Sequence, residues 1–217
     1  MSAENHNSTR STGADAGSPS DYFQRLSKLI RQLPFAAIEA IAGVILRAYE
    51  ENRTVFVFGN GGSAASASHM MVDMNKGTGE PVAGKRLKVM ALTDNVPLLT
   101  AWANDSSYEK VFAEQLKNFV ESGDVAFAIS GSGDSTNVVL ALETAREYGA
   151  VTVGISGYKG GKMRPLCDVC AVVPSDNMQM IEDMHHAILH SIFVAVREGM
   201  ASGKPRTMAA VTGRLQK

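Results

Sequence analysis

The sequence predicts an α/β fold in which a five-stranded parallel sheet is covered by helices on both faces. Five short runs are almost purely apolar and do not alternate with polar residues, which is typical of strands buried on both faces of a parallel sheet. The pattern between these runs is helical, so strands and helices alternate along the chain. The five runs cover residues 54–58, 88–92, 125–129, 151–155 and 169–173.

The size of the chain limits it to one such domain. Its 217 residues suffice for one substantial α/β domain and not for two with a linker, and 45% hydrophobic residues are enough to build a full core. We expect the domain to cover residues 20–200. Residues 1–19 contain hardly any apolar side chains and predict a disordered tail. Residues 201–217, with glycine, proline and basic residues, predict a C-terminal tail.

Helices are expected on both sides of the sheet. A helical pattern over residues 22–50, with a break at Pro34, predicts an N-terminal helical extension. Its broad apolar stripe is typical of helices that pack on a core or on a partner subunit. The predicted architecture is a three-layer sandwich of the flavodoxin-like or Rossmann-like type. The remaining helices are expected at residues 64–74, 97–119, 136–148 and 178–200.

Charge and hydropathy exclude several classes of protein. The formal net charge of −1 gives no general attraction to nucleic acid or to an anionic membrane. No apolar run approaches the ~20 residues of a membrane-spanning helix, and the N-terminal region lacks the apolar stretch of a signal peptide. We therefore expect a cytoplasmic protein that binds neither nucleic acid nor membrane.

Cys167 and Cys170 are the only cysteines, and their C-x-x-C spacing raises a redox pair or half of a zinc site as alternatives. The sequence has no second cysteine pair. The surrounding residues predict a strand, whereas redox pairs of this spacing typically open a helix. We interpret the two residues as ordinary small thiols.

The first strand runs into Gly59-Asn-Gly-Gly-Ser63 and then into a helix of small side chains. Glycines let amides approach a ligand closely, and the helix N-terminus offers unpaired N–H groups and the positive end of its dipole. These features predict an anion site, with a plain structural turn as the alternative. The dinucleotide fingerprint does not fit because it needs glycine where Ala64 stands, and the P-loop does not fit because Gly-Lys-Ser/Thr is missing.

A second strand–loop–helix unit strengthens this prediction. Residues 125–135 again run from an apolar strand through a flexible loop, which carries three hydroxyls, those of Ser130, Ser132 and Ser135. Serines and glycines at a helix N-terminus can surround a phosphate with hydroxyl and amide donors. The alternative is an ordinary N-cap at Ser135. Two such loops at the carboxyl ends of strands in one open sheet lie where ligands bind.

The chain resembles the sugar isomerase (SIS) domain family, and within it the phosphoheptose isomerases, over residues 22–200. The motifs that carry the resemblance are FGNGGSAASASH, ALTDNVPLLTAWANDSSYEKVFAEQL, GDVAFAISGSGDSTNV, VGISGYKGGKM and VPSDNMQMIEDMHHAILH. The resemblance implies a single SIS domain, a homotetramer with active sites between subunits, and conversion of sedoheptulose 7-phosphate to D-glycero-D-manno-heptose 7-phosphate. This aldose–ketose isomerisation moves a proton between C1 and C2 through an enediol. It needs a base, an acid and a group that polarises the carbonyl.

The resemblance also implies the residues of the site. Phosphate-binding positions fall on Ser63, Ser130, Ser132 and Ser135. Other substrate-binding positions fall on Asn60, Gly61, Gly62, Asp73, Asn104, Asp105, Gly131 and Glu182. Metal-ligand positions fall on His69, Asp73, Glu182 and His190, and the catalytic positions on Asp73 and His190.

Two positions depart from the family. The family has glutamate where Asp73 stands and glutamine where Glu182 stands, and both replacements keep an oxygen donor. His69 and Asp73 are spaced i, i+4 and share a helix face. Together with Glu182 and His190 they offer two carboxylates and two imidazoles, which suit zinc, manganese or iron(II). We expect a divalent metal, zinc. The alternative is that the four are separate groups that line a polar pocket.

The shorter side chain of Asp73 leaves the base and the reaction open. A misplacement of ~1 Å can cost on the order of a hundredfold in rate, so Glu182, Asp105 and His186 are alternative bases. One alternative function is an isomerase of a different phosphosugar. Another is a non-catalytic SIS domain that senses a sugar phosphate or serves as an adaptor for a replication initiator. Four potential ligands argue against a pure adaptor, because a scaffold needs none.

Overall fold

The computed structural model describes residues 18–79 and 85–202. Strands and helices alternate along these residues, as expected. The helices are α1 (Pro19–Ile30), α2 (Phe35–Glu50), α3 (Gly62–Gly77), α4 (Val96–Asp105), α5 (Ala113–Phe119), α6 (Thr136–Glu147) and α7 (Met178–Ser202). The strands are β1 (Thr54–Gly59), β2 (Lys88–Ala91), β3 (Val125–Ser130), β4 (Val151–Ser156) and β5 (Val169–Val172).

The strands form one sheet in the order β2-β1-β3-β4-β5, and every neighbouring pair is parallel. The predicted five-stranded parallel sheet is confirmed. In the register, Val55 of β1 lies between Val89 of β2 and Val125 of β3. The chain turns outward from β1 to β2 and then returns past β1 to β3, so the strand order reverses between β1 and β3. The carboxyl ends of these two strands border the crevice in which open α/β sheets bind ligands.

Alternate side chains of the central strands enter two separate cores. Val55 and Phe127 pack with α2, α3 and α7 on one face, whereas Phe56 and Phe58 pack with α5 and α6 on the other. The six residues of β3 are all buried. Burial on both faces explains why these strand sequences are continuous apolar runs. The three-layer sandwich predicted from the sequence is confirmed.

The N-terminal extension consists of α1 and α2, and the break predicted at Pro34 is confirmed. The Ser18 hydroxyl accepts a hydrogen bond from the Asp21 N–H (3.1 Å), so α1 begins at Pro19, inside the stretch expected to be a tail. Leu29 is buried while Phe23 remains 65% exposed, so the apolar surface of this extension exceeds what the core covers. The tails expected at residues 1–19 and 201–217 otherwise lie outside the described residues.

Among the helices of residues 18–79 and 85–202, no single one is long and apolar enough to cross a bilayer. α1 and α2 taken together reach that length and composition, but they are bent by 72° relative to each other.

One expected helix is divided in two. Instead of one helix over residues 97–119, α4 ends at Asp105 and α5 begins at Ala113, with a short 3-10 turn at Tyr108–Lys110 between them. Ser107 is extended (φ −160°, ψ 156°), and serine hydroxyls compete for the hydrogen bonds that would continue a helix. The interruption moves Tyr108 out of a regular helix and toward the carboxyl end of β1.

The two cysteines lie where a strand was expected. Cys167 precedes β5 and Cys170 lies within it, and both thiols are free and partly buried. A Cβ at Gly154 of β4 would lie 2.8 Å from the Cys167 sulfur and 3.4 Å from the Cys170 sulfur, so both sulfurs occupy the space that this glycine leaves. Their interpretation as ordinary thiols stays a prediction.

Candidate active site

The loop between β1 and α3 depends on glycine. A Cβ at Gly59 would lie 2.5 Å from the Ile129 carbonyl oxygen and 2.8 Å from the Ser63 Cβ, so no side chain fits there. Gly61 has a φ of 54°, in the left-handed region that favours glycine. α3 begins at Gly62 with no side chain capping its first amides. The N–H groups of Ser63, Ala64 and Ala65 donate to the carbonyls of Asn60 and Gly61. Among the described residues, the Gly62 N–H and the positive end of the helix are therefore left for an anion.

The loop between β3 and α6 presents serine hydroxyls. Ser130 Oγ accepts a hydrogen bond from the Gly133 N–H (3.1 Å), and Ser132 Oγ accepts one from the Asp134 N–H (3.2 Å). Because each hydroxyl accepts within its own loop, each keeps its O–H to donate to a ligand. Ser135 is the extended N-cap of α6, and its side chain caps no amide. We call residues 59–63 and 130–135 together the loop crevice.

Close backbone packing braces the second loop. Gly133 has a φ of 73°, and a Cβ there would lie 2.2 Å from the Gly160 carbonyl oxygen. The Gly133 carbonyl accepts a hydrogen bond from the Met163 N–H (2.9 Å), and Asp134 Oδ1 accepts one from the Lys162 N–H (2.9 Å). The segment after β4 therefore fixes the position of the serines.

A pair of carboxamides joins the two loops. Asn60 Nδ2 donates to Asn137 Oδ1 (2.8 Å), and Asn137 Nδ2 donates back to Asn60 Oδ1 (2.9 Å). The Tyr108 hydroxyl donates to the same Oδ1 of Asn60 (2.9 Å). Asn137, near the start of α6, is 3% exposed, whereas Tyr108 is 58% exposed. Asn60 is thus held from a buried side and from an exposed side.

Helices α3 and α7 lie side by side and run in the same direction away from the loop crevice. Polar groups meet across them at three successive levels: Glu182 with Gly62, His186 with Ser66, and His190 with His69. Because Cα–Cβ bonds tilt toward the N-terminus of a helix, side chains on both helices lean toward the loop crevice.

The third level contains a compact set of ligand atoms. His69 Nε2 lies 3.5 Å and His190 Nε2 3.6 Å from Asp73 Oδ2, and the two Nε2 atoms are 3.4 Å apart. These three side chains form a group whose ligand atoms lie within 4.8 Å of one another. We call them the His–Asp–His group. The side chains of His69 and His190 are 48% and 54% exposed, so the group is open to solvent.

The spacing within the His–Asp–His group fits a metal. Ligands about 2.0–2.1 Å from a tetrahedral zinc ion lie roughly 3.3–3.4 Å apart, which is close to the observed separations. Two imidazoles and a carboxylate also suit manganese and iron(II). A position on the exposed side would remain for substrate or water. The sequence predicts that His69, Asp73 and His190 belong to one metal site, and the structure places these three side chains together. Their role as ligands stays a prediction.

Glu182 does not belong to the His–Asp–His group. Its carboxylate lies at the start of α3, where a Cβ on Gly62 would be 3.4 Å from Glu182 Oε1. A carboxylate at a helix N-terminus is electrostatically favourable. Its ligand role stays a prediction, while its position beside the loop crevice agrees with a substrate contact.

The remaining expected residues lie at the borders of the crevice. Asn104 and Asp105 are exposed at the end of α4, where Asn104 Nδ2 donates to Asp105 Oδ1 (2.8 Å). They precede Tyr108, which contacts Asn60. A Cβ at Gly131 would lie 2.5 Å from the Met178 sulfur, so this glycine lets the start of α7 pack on the loop.

Two neighbouring histidines of α7 differ in surroundings. His186 faces α3, with its Nε2 3.2 Å from Ser66 Oγ. His185 is only 2% exposed, and within the described part of the chain its Nε2 has no hydrogen-bond partner. Burial lowers the pKa of His185 to about 4, against the upward effect of its hydrogen bond to the Ser156 backbone. The His185 ring is therefore neutral at pH 7.

Sequence reasoning missed Asn137 and Tyr108. Asn137 carries a usable signal, because it is a carboxamide two positions after Ser135, in the first turn of the helix that follows the serine loop. Tyr108 carries none, since only the folded chain brings it to Asn60. The contact between His186 and Ser66 likewise depends on how α3 and α7 pack.

Comparison with known proteins agrees with this arrangement. A family model described as SIS domain matches residues 21–157. The chain is 37% identical over 173 residues to a probable phosphoheptose isomerase from Thermoplasma volcanium, covering 80% of this chain and 87% of the relative. It is 38% identical over 172 residues to a phosphoheptose isomerase from Rhodospirillum rubrum, covering 76% of this chain and 87% of the relative.

A solved structure is similar in fold. The phosphoheptose isomerase GmhA from Neisseria gonorrhoeae superposes with a TM-score of 0.75 at 27% sequence identity. The superposition covers 82% of this chain and 96% of that one. The likeness therefore covers most of both chains.

Proposed function

This chain belongs to the SIS domain family and, within it, to the phosphoheptose isomerases, and from that premise we propose that it converts sedoheptulose 7-phosphate to D-glycero-D-manno-heptose 7-phosphate. The observation that carries the proposal is the convergence of Asp73, His69 and His190, with His69 two helical turns along α3 from Gly62 of the loop crevice. A sugar phosphate isomerase needs an anion site for one end of its substrate and acid–base groups for the other.

The loop crevice is the end that binds phosphate. It offers the hydroxyls of Ser130, Ser132 and Ser135, whose O–H groups are not used to cap the loop. It also offers the Gly62 N–H and the positive end of α3, where Ser63 is buried in the first turn. Held there, the phosphate keeps the distant carbons of the sugar in register with the His–Asp–His group.

Asp73 is the base of the reaction. Both histidines face its Oδ2, which leaves Oδ1 available to the substrate. The carboxylate removes a proton from C1 of the open-chain ketose to give the enediol and returns it to C2 to give the aldose. His190 donates a proton to the oxygen on C2 and accepts one from the oxygen on C1, so the reaction needs no external proton.

A divalent metal, zinc by preference, is the proposed cofactor, held by His69, Asp73 and His190. When bound, it supplies a positive charge that polarises the carbonyl oxygen. Two roles compete for His190, because an imidazole nitrogen that binds a metal does not also carry a proton. The effect of added zinc on turnover separates them: activation supports the ligand role, and inhibition supports proton transfer by the free imidazole.

The active form is a homotetramer with sites between subunits. The half-exposed His69 and His190 support this proposal, because an enediol intermediate needs shielding from water that one chain does not supply. The exposed apolar side chains of Phe23 (65%) and Phe35 (54%) offer surface for subunit contact. A location in the cytoplasm stays a prediction.

The test is isomerisation of sedoheptulose 7-phosphate in heavy water, followed by NMR, with the purified protein alone, with zinc, and with magnesium. We expect the heptose 7-phosphate to form and solvent deuterium to enter at C1 or C2, as proton exchange through an enediol requires. Free zinc at ten times its Kd is expected to stabilise the fold by about 1.4 kcal/mol. Magnesium, which prefers oxygen ligands, is the control and is expected to do less.

Other outcomes would redirect the assignment. Zinc binding without turnover or deuterium uptake contradicts this substrate and favours a different phosphosugar. The absence of both zinc binding and turnover contradicts an enzyme and favours a sugar-phosphate sensor or an adaptor. Light-scattering mass in solution tests the tetramer independently.

A further inference from the structure

Asn60 has an unusually complete set of hydrogen bonds for a residue at the mouth of a ligand crevice. A carboxamide has two N–H donors and an oxygen that accepts two hydrogen bonds. Both acceptor sites of Asn60 Oδ1 are filled, one by Asn137 and one by the Tyr108 hydroxyl. One N–H is used by Asn137 Oδ1. Counting partners among residues 18–79 and 85–202, one donor and no acceptor of this side chain therefore remain for a ligand.

The three residues come from separate parts of the chain. Asn60 directly follows β1, Asn137 lies in the first turn of α6, and Tyr108 begins the 3-10 turn between α4 and α5. In a reciprocal amide pair, each bonded N–H is the one on the same side as the oxygen of its own amide. The free N–H of Asn60 is therefore the one on the other edge of its amide nitrogen, outside the pair with Asn137, and Asn60 itself is only partly buried.

We propose that Tyr108 and Asn137 are positioning residues that hold the Asn60 carboxamide as a pure hydrogen-bond donor toward an acceptor oxygen of the bound sugar phosphate. This inference rests on the proposed function, since it assigns the acceptor to the phosphosugar. Without the two partners, the amide rotates freely and offers its oxygen as often as its nitrogen. Fixing the amide in advance removes the entropic cost of orienting it in each turnover.

Tyr108 provides the first test because it is exposed and its hydroxyl bonds to Asn60. Tyr108→Phe removes one hydrogen bond and leaves the ring, so the fold is expected to keep its thermal midpoint. A hydrogen bond of this kind contributes about 0.5–1.5 kcal/mol, so we expect kcat/KM to fall about threefold to tenfold. Tyr148→Phe is the matched control, because Tyr148 is similarly exposed (42%) and lies at the end of α6 away from the crevice.

Asn137 provides a second test with a distinct pH signature. Asn137→Asp places a carboxylate that accepts from Asn60 Nδ2 but repels Asn60 Oδ1, so kcat/KM is expected to fall on the order of a hundredfold at pH 8. When protonated, the introduced carboxyl donates to Asn60 Oδ1 and restores the pair, which raises its pKa. The ratio of variant to unsubstituted kcat/KM is therefore expected to rise as the pH falls from 8 to 5.5. A merely structural role predicts a constant ratio.

A measurement without substrate separates this inference from the proposed function. The side-chain NH₂ resonances of Asn60 and Asn137 are expected to show one proton in each pair protected from exchange with water. Sedoheptulose 7-phosphate is expected to shift the unprotected proton of Asn60. If the protein proves inactive but the protected protons are seen, the proposed function fails and the fixed amide pair stands.

Three results would overturn the inference while leaving the isomerase intact. These are equal kcat/KM for Tyr108→Phe and Tyr148→Phe, a pH-independent activity ratio for Asn137→Asp, and exchange of all four amide protons at the solvent rate. Each of them means that the Asn60 amide is not held, or that holding it does not matter for turnover.

Discussion

The loop crevice and the His–Asp–His group belong to one proposed site but are built in opposite ways. The crevice is made of backbone that approaches backbone, with a glycine wherever a Cβ would collide, as at Gly59 and Gly133. The His–Asp–His group is made of side chains on two helix surfaces, with histidines about half exposed. Residues in the crevice are therefore tied to the stability of the fold, whereas the group can be altered without disturbing the core.

The largest expected effect is a loss of activity with no loss of stability. Asp73→Asn keeps the size of the side chain but removes the proposed base, and a base in proton transfer contributes on the order of a thousandfold in rate. Steady-state turnover of sedoheptulose 7-phosphate is the measurement. The free energy of unfolding is expected to change by less than about 0.5 kcal/mol, as for other surface substitutions.

Two further variants sharpen this prediction. Asp21→Asn, on the exposed surface of α1, is the matched control and should leave turnover unchanged. Asp73→Glu keeps a carboxylate and should retain more activity than Asp73→Asn. If Asp73→Asn remains active, the base is another group, with Glu182, His186 and Asp105 next in line.

The next expected effect is a loss of folding stability, caused by a substitution in the loop crevice. Gly133→Ala puts a Cβ 2.2 Å from the Gly160 carbonyl oxygen at a φ of 73°. Overpacking against backbone together with left-handed strain is expected to lower the free energy of unfolding by about 3–4 kcal/mol. Chemical denaturation measures it.

Gly61→Ala is the control for that substitution. Gly61 also has a positive φ (54°), but a Cβ there would meet no atom within 4 Å. Only the conformational strain remains, so a cost of about 1 kcal/mol is expected. Equal costs for the two alanines would mean that close packing does not fix the crevice.

The last expected effect is the contribution of His185 to the pH dependence of folding stability. His185 belongs to the buried side of α7, and burial lowers its pKa from 6.5 to about 4. The unfolded chain therefore binds the proton more readily than the folded one between these values. The resulting stability is complete above pH 6.5 and is lost as the pH falls toward 4, by about 3 kcal/mol.

Denaturation at a series of pH values checks this contribution. In His185→Gln and His185→Leu, the stability lost between pH 6.5 and 4 should be smaller than in the unsubstituted protein by that amount. Two substitutions are used because either one alone leaves a different packing defect. An unchanged pH dependence in both variants would show that His185 is not the neutral buried group described above.

Much of the fold could be predicted because it follows from local patterns. Continuous apolar runs predict strands covered on both faces, and Pro34 predicts the break between α1 and α2. The two loops were recognisable because glycine and serine have direct conformational and chemical meanings there. The stretch expected to be one helix contains Ser106 and Ser107, whose hydroxyls compete for helical hydrogen bonds, and these residues lie between α4 and α5.

The part of the site that was missed depends on contacts distant in sequence. No periodicity links Tyr108 to Asn60, and the bond forms only because the 3-10 turn lies over the end of β1. Spacing places Glu182 and His190 on one face of α7, but the parallel packing of α3 decides which residue each one meets. It sets His190 beside His69 and leaves Glu182 at Gly62.

The loop crevice has a kinetic consequence, because residues 59–63 and 130–135 include no lysine or arginine. In an isomerase the phosphate of the substrate is unchanged in the product. Groups that bind this phosphate therefore bind substrate and product equally well. Such uniform affinity cannot lower the barrier between them, and if it were excessive it would only delay departure. Neutral donors that rely on dipoles instead of full charges are suited to an anion that must be released at every cycle.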